Sequence, residues 1–218
     1  MPTLVPTEYR HQARNEKNFG ALYTAITLLS FHWVVVVYIN SSFLSQYISD
    51  AAIGLLYTIS SALTILVFLF ISRVLSRAGN YKLTLVLAIL EFFTLIGMGF
   101  ADSLREAIPL FMIHQAVVPL ILFNLDIYME KMIGADECST GGRRGLYLAL
   151  MSLAGALGPL MSGYLIGSNT PHYTYAYVAS ALLIIPFILV IMRFFKTFED
   201  PDYKELEILT AIRSFWKV

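Results

Sequence analysis

Six long apolar segments, separated by short polar connections, constrain this chain more than any other feature. Read with a window of about 19 residues, they run near 19–40, 51–71, 83–101, 108–129, 146–166 and 173–195. At a rise of about 1.5 Å per residue, twenty helical residues cover roughly 30 Å, the thickness of a bilayer's hydrocarbon layer. Such segments could instead be core helices of a large soluble protein, but those need a polar shell. Here 57% of the 218 residues are apolar and 14% are charged, against about 25% charged in a soluble domain. Strands of a membrane barrel would alternate polar and apolar over about ten residues, and these segments do not. The expected fold class is all-α: a polytopic membrane protein with six transmembrane helices.

The same numbers exclude other classes. A chain this apolar is not disordered. Fifteen basic and fifteen acidic side chains give no net charge, so no overall field draws in nucleic acid. One cysteine, Cys138, allows neither a disulfide framework nor a CxxC site. There is no GxxxxGK[ST] loop and no HExxH pair, so neither an ATP-driven motor nor a zinc enzyme is encoded in a recognisable motif. No cofactor is called for, and the chain reads as a non-enzyme.

Basic residues set the expected orientation. Arg10, Arg14 and Lys17 precede the first span; Arg73, Arg77 and Lys82 follow the second. Lys131, Arg143 and Arg144 follow the fourth, and Arg193, Lys196, Lys204, Arg213 and Lys217 follow the sixth. Only Arg105 falls on the other side. Lys and Arg stay cytoplasmic because translocating them is costly, so both termini are expected inside. Ser49-Asp50 and Asp102-Ser103 suit the starts of the second and fourth helices, and Pro171 breaks the chain before the sixth. The expected organisation is a cytoplasmic segment over 1–18, a six-helix bundle over 19–197 and a cytoplasmic tail over 198–218. The polar start and the long first span do not suit a cleaved signal peptide. With no organelle address in view, the plasma (inner) membrane is the expected location.

Polar groups inside the spans are costly and therefore candidates for function. His32 lies within the first span, Glu91 in the middle of the third, and His114, Gln115, Asn124 and Asp126 in the fourth. Gln115 and Asp126 are eleven residues, about three turns, apart, so they share a face that Glu130 extends. A histidine titrates near neutral pH and could carry a coupling proton; a neutral His or Gln bonded to a neighbouring helix is the alternative. Glu91 is either a protonated or hydrogen-bonded acid that ties the third span to its neighbours or a proton carrier. In the fifth span Gly155, Pro159, Gly163 and Gly167 recur every four residues, a stripe on which another backbone can approach closely. Gly158-Pro159 also loosens the helix ladder, either as simple packing or as a bend used in opening and closing.

Two of these stretches resemble the major facilitator superfamily of transporters. Arg144-Gly145 entering the fifth span, followed by Gly158-Pro159 and Gly163, is similar to that family's fifth helix. The connection 72–82 resembles its cytoplasmic loop pattern G-x-x-x-D-R-x-G-R-K. Arg77 and Gly79 match, Lys82 falls one place late, and Ser72 and Ser76 stand where Gly and Asp are usual. The resemblance covers the whole chain as the N-terminal six-helix half of a twelve-span transporter. It implies a cytoplasmic gate network in which Arg77 pairs with Asp126, with Arg143 and Arg144 as further partners for that acid. It also implies a central cavity lined by helices one and four, which makes His32, His114, Gln115 and Asn124 substrate or proton candidates. The third helix is peripheral in that family, so Glu91 would act away from the substrate.

The tail places Ile208, Ile212 and Phe215 at helical spacing with Leu209 and Trp216 beside them. That pattern suits an amphipathic helix on the cytoplasmic interface and resembles the start of the linker between transporter halves. Weaker readings are a Ser162-based protease without a nearby base, a haem between His32 and His114, and a glycan on the Asn40-Ser41-Ser42 sequon. Three functions remain: a secondary transporter of the major facilitator type, with this chain as its N-terminal half, that moves a small solute by alternating access with or without a coupling proton; a half-transporter that pairs with itself; or a non-transporting membrane scaffold or regulatory subunit.

Overall fold

The computed structural model describes residues 7–134, 137–167 and 172–203. Seven helices follow in order: α1 Thr7–Val37, α2 Asn40–Leu44, α3 Asp50–Ala78, α4 Asn80–Gly99, α5 Leu104–Ile133, α6 Glu137–Ile166 and α7 Tyr173–Phe194. No strand occurs among the described residues. All except α2 contain a stretch long and apolar enough to cross a membrane. Helices α3, α5 and α6 outrun their apolar segments because polar residues remain helical beyond the hydrocarbon layer. At about 1.5 Å per residue, the 30 residues of α5 reach about 45 Å.

Local chemistry explains the boundaries. The Ser49 side chain accepts a hydrogen bond from the Ala52 N–H at 3.5 Å and caps α3. At the start of α5 the Glu106 carboxylate accepts from the Asp102 N–H at 3.2 Å. The first helix stops at Val37, three residues before the apolar run ends. Four consecutive valines, Val34 to Val37, weaken a helix end. Asn40 then turns inward, where the Tyr177 hydroxyl donates to its Oδ1 at 2.9 Å. Asn40 is wholly buried, so its sequon offers no glycan site in the folded chain.

The closest packing joins α1 to α7, α4 to α7, α4 to α5 and α1 to α6. Leu22, Ile26 and Leu29 of α1, Leu95 and Met98 of α4, Phe111 and Ile121 of α5, and Ile184 and Phe187 of α7 fill the interior. Between helices in lipid such contacts act through close packing rather than through removal of surface from water. Helix α3 lies against α5, and α6 against α1. Both leave rows of large apolar side chains exposed, among them Leu55, Leu66 and Phe70 of α3 and Leu148, Leu153 and Leu160 of α6. That is the surface of a protein in contact with a lipid bilayer.

At two of the prolines inside helices, Pro119 and Pro159, a neighbouring side chain takes the freed backbone carbonyl. Pro119 has no N–H for the Gln115 carbonyl, and the Thr64 hydroxyl approaches that oxygen at 3.4 Å. Pro159 likewise frees the Gly155 carbonyl, which accepts from the Tyr38 hydroxyl at 3.3 Å.

Candidate functional site

A cleft of about 430 Å³ opens between α1, α3 and α5. Trp33 and Val37 line it from α1, Ser61, Thr64 and Phe68 from α3, and Gln115 and Pro119 from α5. No charged side chain lines it. Its polar side chains carry two hydroxyls, one amide and the indole of Trp33, set among aromatic and aliphatic walls. A site of this size and make-up suits a small solute held by a few polar contacts.

Directly behind the cleft, two of its three helices, α1 and α5, turn His32 and His114 inward, where they meet Glu91 of α4. Glu91 Oε1 lies 2.6 Å from His114 Nδ1 and 3.3 Å from His32 Nε2. The His32 contact has ion-pair distance but poor hydrogen-bond alignment. All three side chains are fully buried, and the two imidazoles meet edge to face with centroids 6.2 Å apart. Ser180 of α7 holds the far side of His32: its Oγ lies 2.7 Å from Nδ1 and donates to the His32 carbonyl at 2.8 Å. The cluster therefore joins α1, α4, α5 and α7 at one point.

The other sequence candidates separate into different places. Gln115 faces the cleft, whereas His32 and His114 lie one residue from cleft-lining Trp33 and Gln115 but point into the bundle. Asn124 is buried between α4 and α5, away from the cleft; its carbonyl accepts from Asn80 Nδ2 at 3.0 Å. At the end of the bundle carrying most basic residues, Arg144 pairs with Glu130. Those two, Asp126 and Tyr147 line a second cleft of about 270 Å³. The Arg143 guanidinium sits 4.1 Å from the Phe19 ring centroid, a cation–π contact. Arg77 is exposed in the last turn of α3. Both members of the Arg144–Glu130 pair are at least half exposed, so the pair adds little stability.

Gly79 takes a different part from a charge network. Its φ of 79° and ψ of 154° belong to a region open essentially to glycine alone, and a Cβ there would stand 2.7 Å from Asp200 Oδ2. Asp200 Oδ1 accepts from the Asn80 N–H at 2.9 Å and from the Tyr203 hydroxyl at 2.6 Å. The carboxylate thus caps the start of α4 and ties the segment after α7 to the α3–α4 turn. Burial, with the Asp200 carboxylate beside it, raises the Tyr203 phenol above its usual pKa. Tyr128 packs against Phe195 and Phe198, with centroids 4.4 and 4.5 Å away. The amphipathic pattern at Ile208, Ile212 and Phe215 lies outside the described residues.

Along α6 the close approach falls on Gly158. A Cβ there would stand 2.7 Å from Val34 Cβ, whereas Cβ atoms at Gly155 and Gly163 would meet open space. The packed row is Ala154, Gly158 and Ser162, with the Ser162 hydroxyl donating to the Val35 carbonyl at 2.8 Å. The anticipated stripe of Gly155, Pro159 and Gly163 lies beside this row and turns partly or fully outward. The row is also built on a four-residue repeat, but Ala and Ser conceal it from a search for glycine.

Ser180, Thr64, Trp33 and Asp200 were not singled out in the sequence. A serine or threonine in an apolar run satisfies its own helix carbonyl as often as it reaches a neighbour, so no local signal marks Ser180. No curated protein matches the chain. Residues 11–177, most of the chain and five of its six spanning helices, match the MFS_1 like family. With six helices able to cross a membrane, the chain is a transporter-type membrane protein that belongs to the MFS_1 like family.

Proposed function

We propose that this protein is a secondary transporter that moves a small uncharged, amphiphilic solute by alternating access. The cleft between α1, α3 and α5 carries this reading. It offers a flat aromatic wall at Trp33 and hydrogen-bonding groups at Ser61, Thr64 and Gln115. An ionic solute would enter without a counter-charge, which is costly at membrane depth. Alternating access needs a second bundle to rock against this one across the cleft. A second six-helix unit or a second copy of the chain would supply it. The basic residues gathered at one end support cytoplasmic termini.

The test is solute-dependent stabilisation of the purified chain in lipid nanodiscs. A ligand that binds only the folded state raises its melting temperature. Uncharged sugars, nucleosides and amphiphilic drugs are screened against charged controls. A stabilising neutral solute whose effect is lost in Trp33→Ala and Gln115→Ala supports the cleft. Absence of stabilisation by any class turns the reading towards a membrane scaffold.

A further inference from the structure

The His32–Glu91–His114 cluster has a proton count fixed by its geometry. The Ser180 hydroxyl has one proton and gives it to the His32 carbonyl, so at His32 Nδ1 it acts as acceptor. Nδ1 of His32 therefore carries a hydrogen. In a neutral imidazole the other nitrogen, Nε2, then presents a lone pair, and it faces Glu91 Oε1 at 3.3 Å. The same oxygen meets His114 Nδ1 at 2.6 Å, a distance that requires one proton between the two atoms. His32 Nε2, Glu91 Oε2 and His114 Nε2 make no aligned hydrogen bond among the described residues.

Two states follow. With an ionised Glu91 and both histidines neutral, the cluster carries a net charge of −1 in the bundle interior and sets a nitrogen lone pair against a carboxylate oxygen. With one more proton, on His32 Nε2 or on the carboxyl, the net charge is zero and the 3.3 Å contact no longer sets a lone pair against a carboxylate. An unpaired buried charge is far more costly than a paired or neutral one. The groups that face the cluster do not alter the count: α1, α4 and α5 contribute only its three members, and α7 contributes Ser180. No other Asp, Glu, His, Lys or Arg is buried among the described residues.

We infer that the buried His32–Glu91–His114 cluster is a proton-binding site that holds one exchangeable proton in this conformation. Release passes that proton to water and breaks no other bond. It leaves the net negative state, which this closed packing disfavours, so unloading is coupled to separation of α1, α4 and α5. Because His32 adjoins Trp33 and His114 adjoins Gln115, such a movement reaches the cleft wall through the backbone. The proton count stands on the cluster alone and holds whether or not the cleft takes a solute.

The test counts protons. The full chain in nanodiscs is unfolded with SDS at pH 8 in weakly buffered solution with a pH-sensitive dye. At pH 8 an unfolded Glu is ionised and an unfolded His neutral, since their ordinary pKa values are about 4.3 and 6.5. Wild type is expected to release one more proton per molecule than Glu91→Gln, whose amide donates to His32 Nε2 without an extra proton. Histidine ¹⁵N spectra of the folded wild type at pH 8 are expected to show a proton on His32 Nδ1 that Ser180→Ala perturbs. Absence of release from wild type overturns the inference, and that arm needs no variant to fold. Equal release from wild type and a folded Glu91→Gln also overturns it, because the proton then resides elsewhere. Neither result depends on transport, so a failed solute screen and a failed proton count remain distinct.

Discussion

The bundle has a sealed side and an open side, and α1 and α5 belong to both. In their most apolar stretches α1 and α5 are 56% and 50% buried, whereas α3 and α6 are 22% and 17% buried. On the sealed side α1 and α5 join α4 and α7, and the buried ionisable groups gather at Glu91. On the open side they meet α3 and α6, and the cleft contains no charge. Successive helical positions, His32 with Trp33 and His114 with Gln115, are divided between the two. Charge is placed where packing can pair it, and the surface open to a ligand is left with hydroxyls, an amide and aromatic rings. A polar residue in a span therefore does not mark the ligand surface by itself; the direction in which it points decides.

Removing the centre of the sealed side gives the largest expected effect. Glu91→Ala leaves two buried histidines without the carboxyl group that both approach, and deletion of one partner of a buried ionic pair costs about 3–5 kcal/mol. Reversible unfolding in mixed micelles measures it, and a loss below about 1 kcal/mol would show that the cluster does not tie the four helices together. Next comes Gly158→Ala, whose Cβ would overlap Val34; overpacking of this kind costs about 1–3 kcal/mol. Gly163→Ala, on the open face of the same helix, should stay within about 0.5 kcal/mol of wild type. Equal effects at the two glycines would abolish the distinction between the sides along α6.

Gly79→Ala tests a junction that belongs to neither side. Its backbone conformation should cost about 1–3 kcal/mol with any other residue. Asp200→Ala, which removes the cap at α4, should cost about 1 kcal/mol. Faster proteolysis of the segment after α7 in both variants would confirm that the turn holds it. The smallest loss is expected from Thr64→Val on the open side, about 0.6 kcal/mol for a hydrogen bond between membrane helices. That variant sharpens the comparison if it weakens solute-dependent stabilisation more than it weakens the fold.

The helices were legible because a bilayer imposes a length and an apolar composition on each one, and both are written along the chain. Glu91, His32 and His114 were legible as costly groups for the same reason. Their meeting was not: the three positions are distant in sequence, and hydropathy carries no information about which helix faces which. The glycine repeat in α6 was visible, but its contact surface was offset by one residue, about 100° of rotation, because only the neighbouring α1 defines the packed face. Asp200 reads locally as part of a polar break after the sixth span, and its role as a cap appears only when α7 returns beside the start of α4. The sequence by itself determined that the chain forms six membrane-spanning helices and which few polar groups they carry, since these follow from the solvent each residue must enter. Tertiary structure alone decided which of those groups share one oxygen and which face the cleft, since pairing depends on helix rotation and neighbour choice, which are settled by packing.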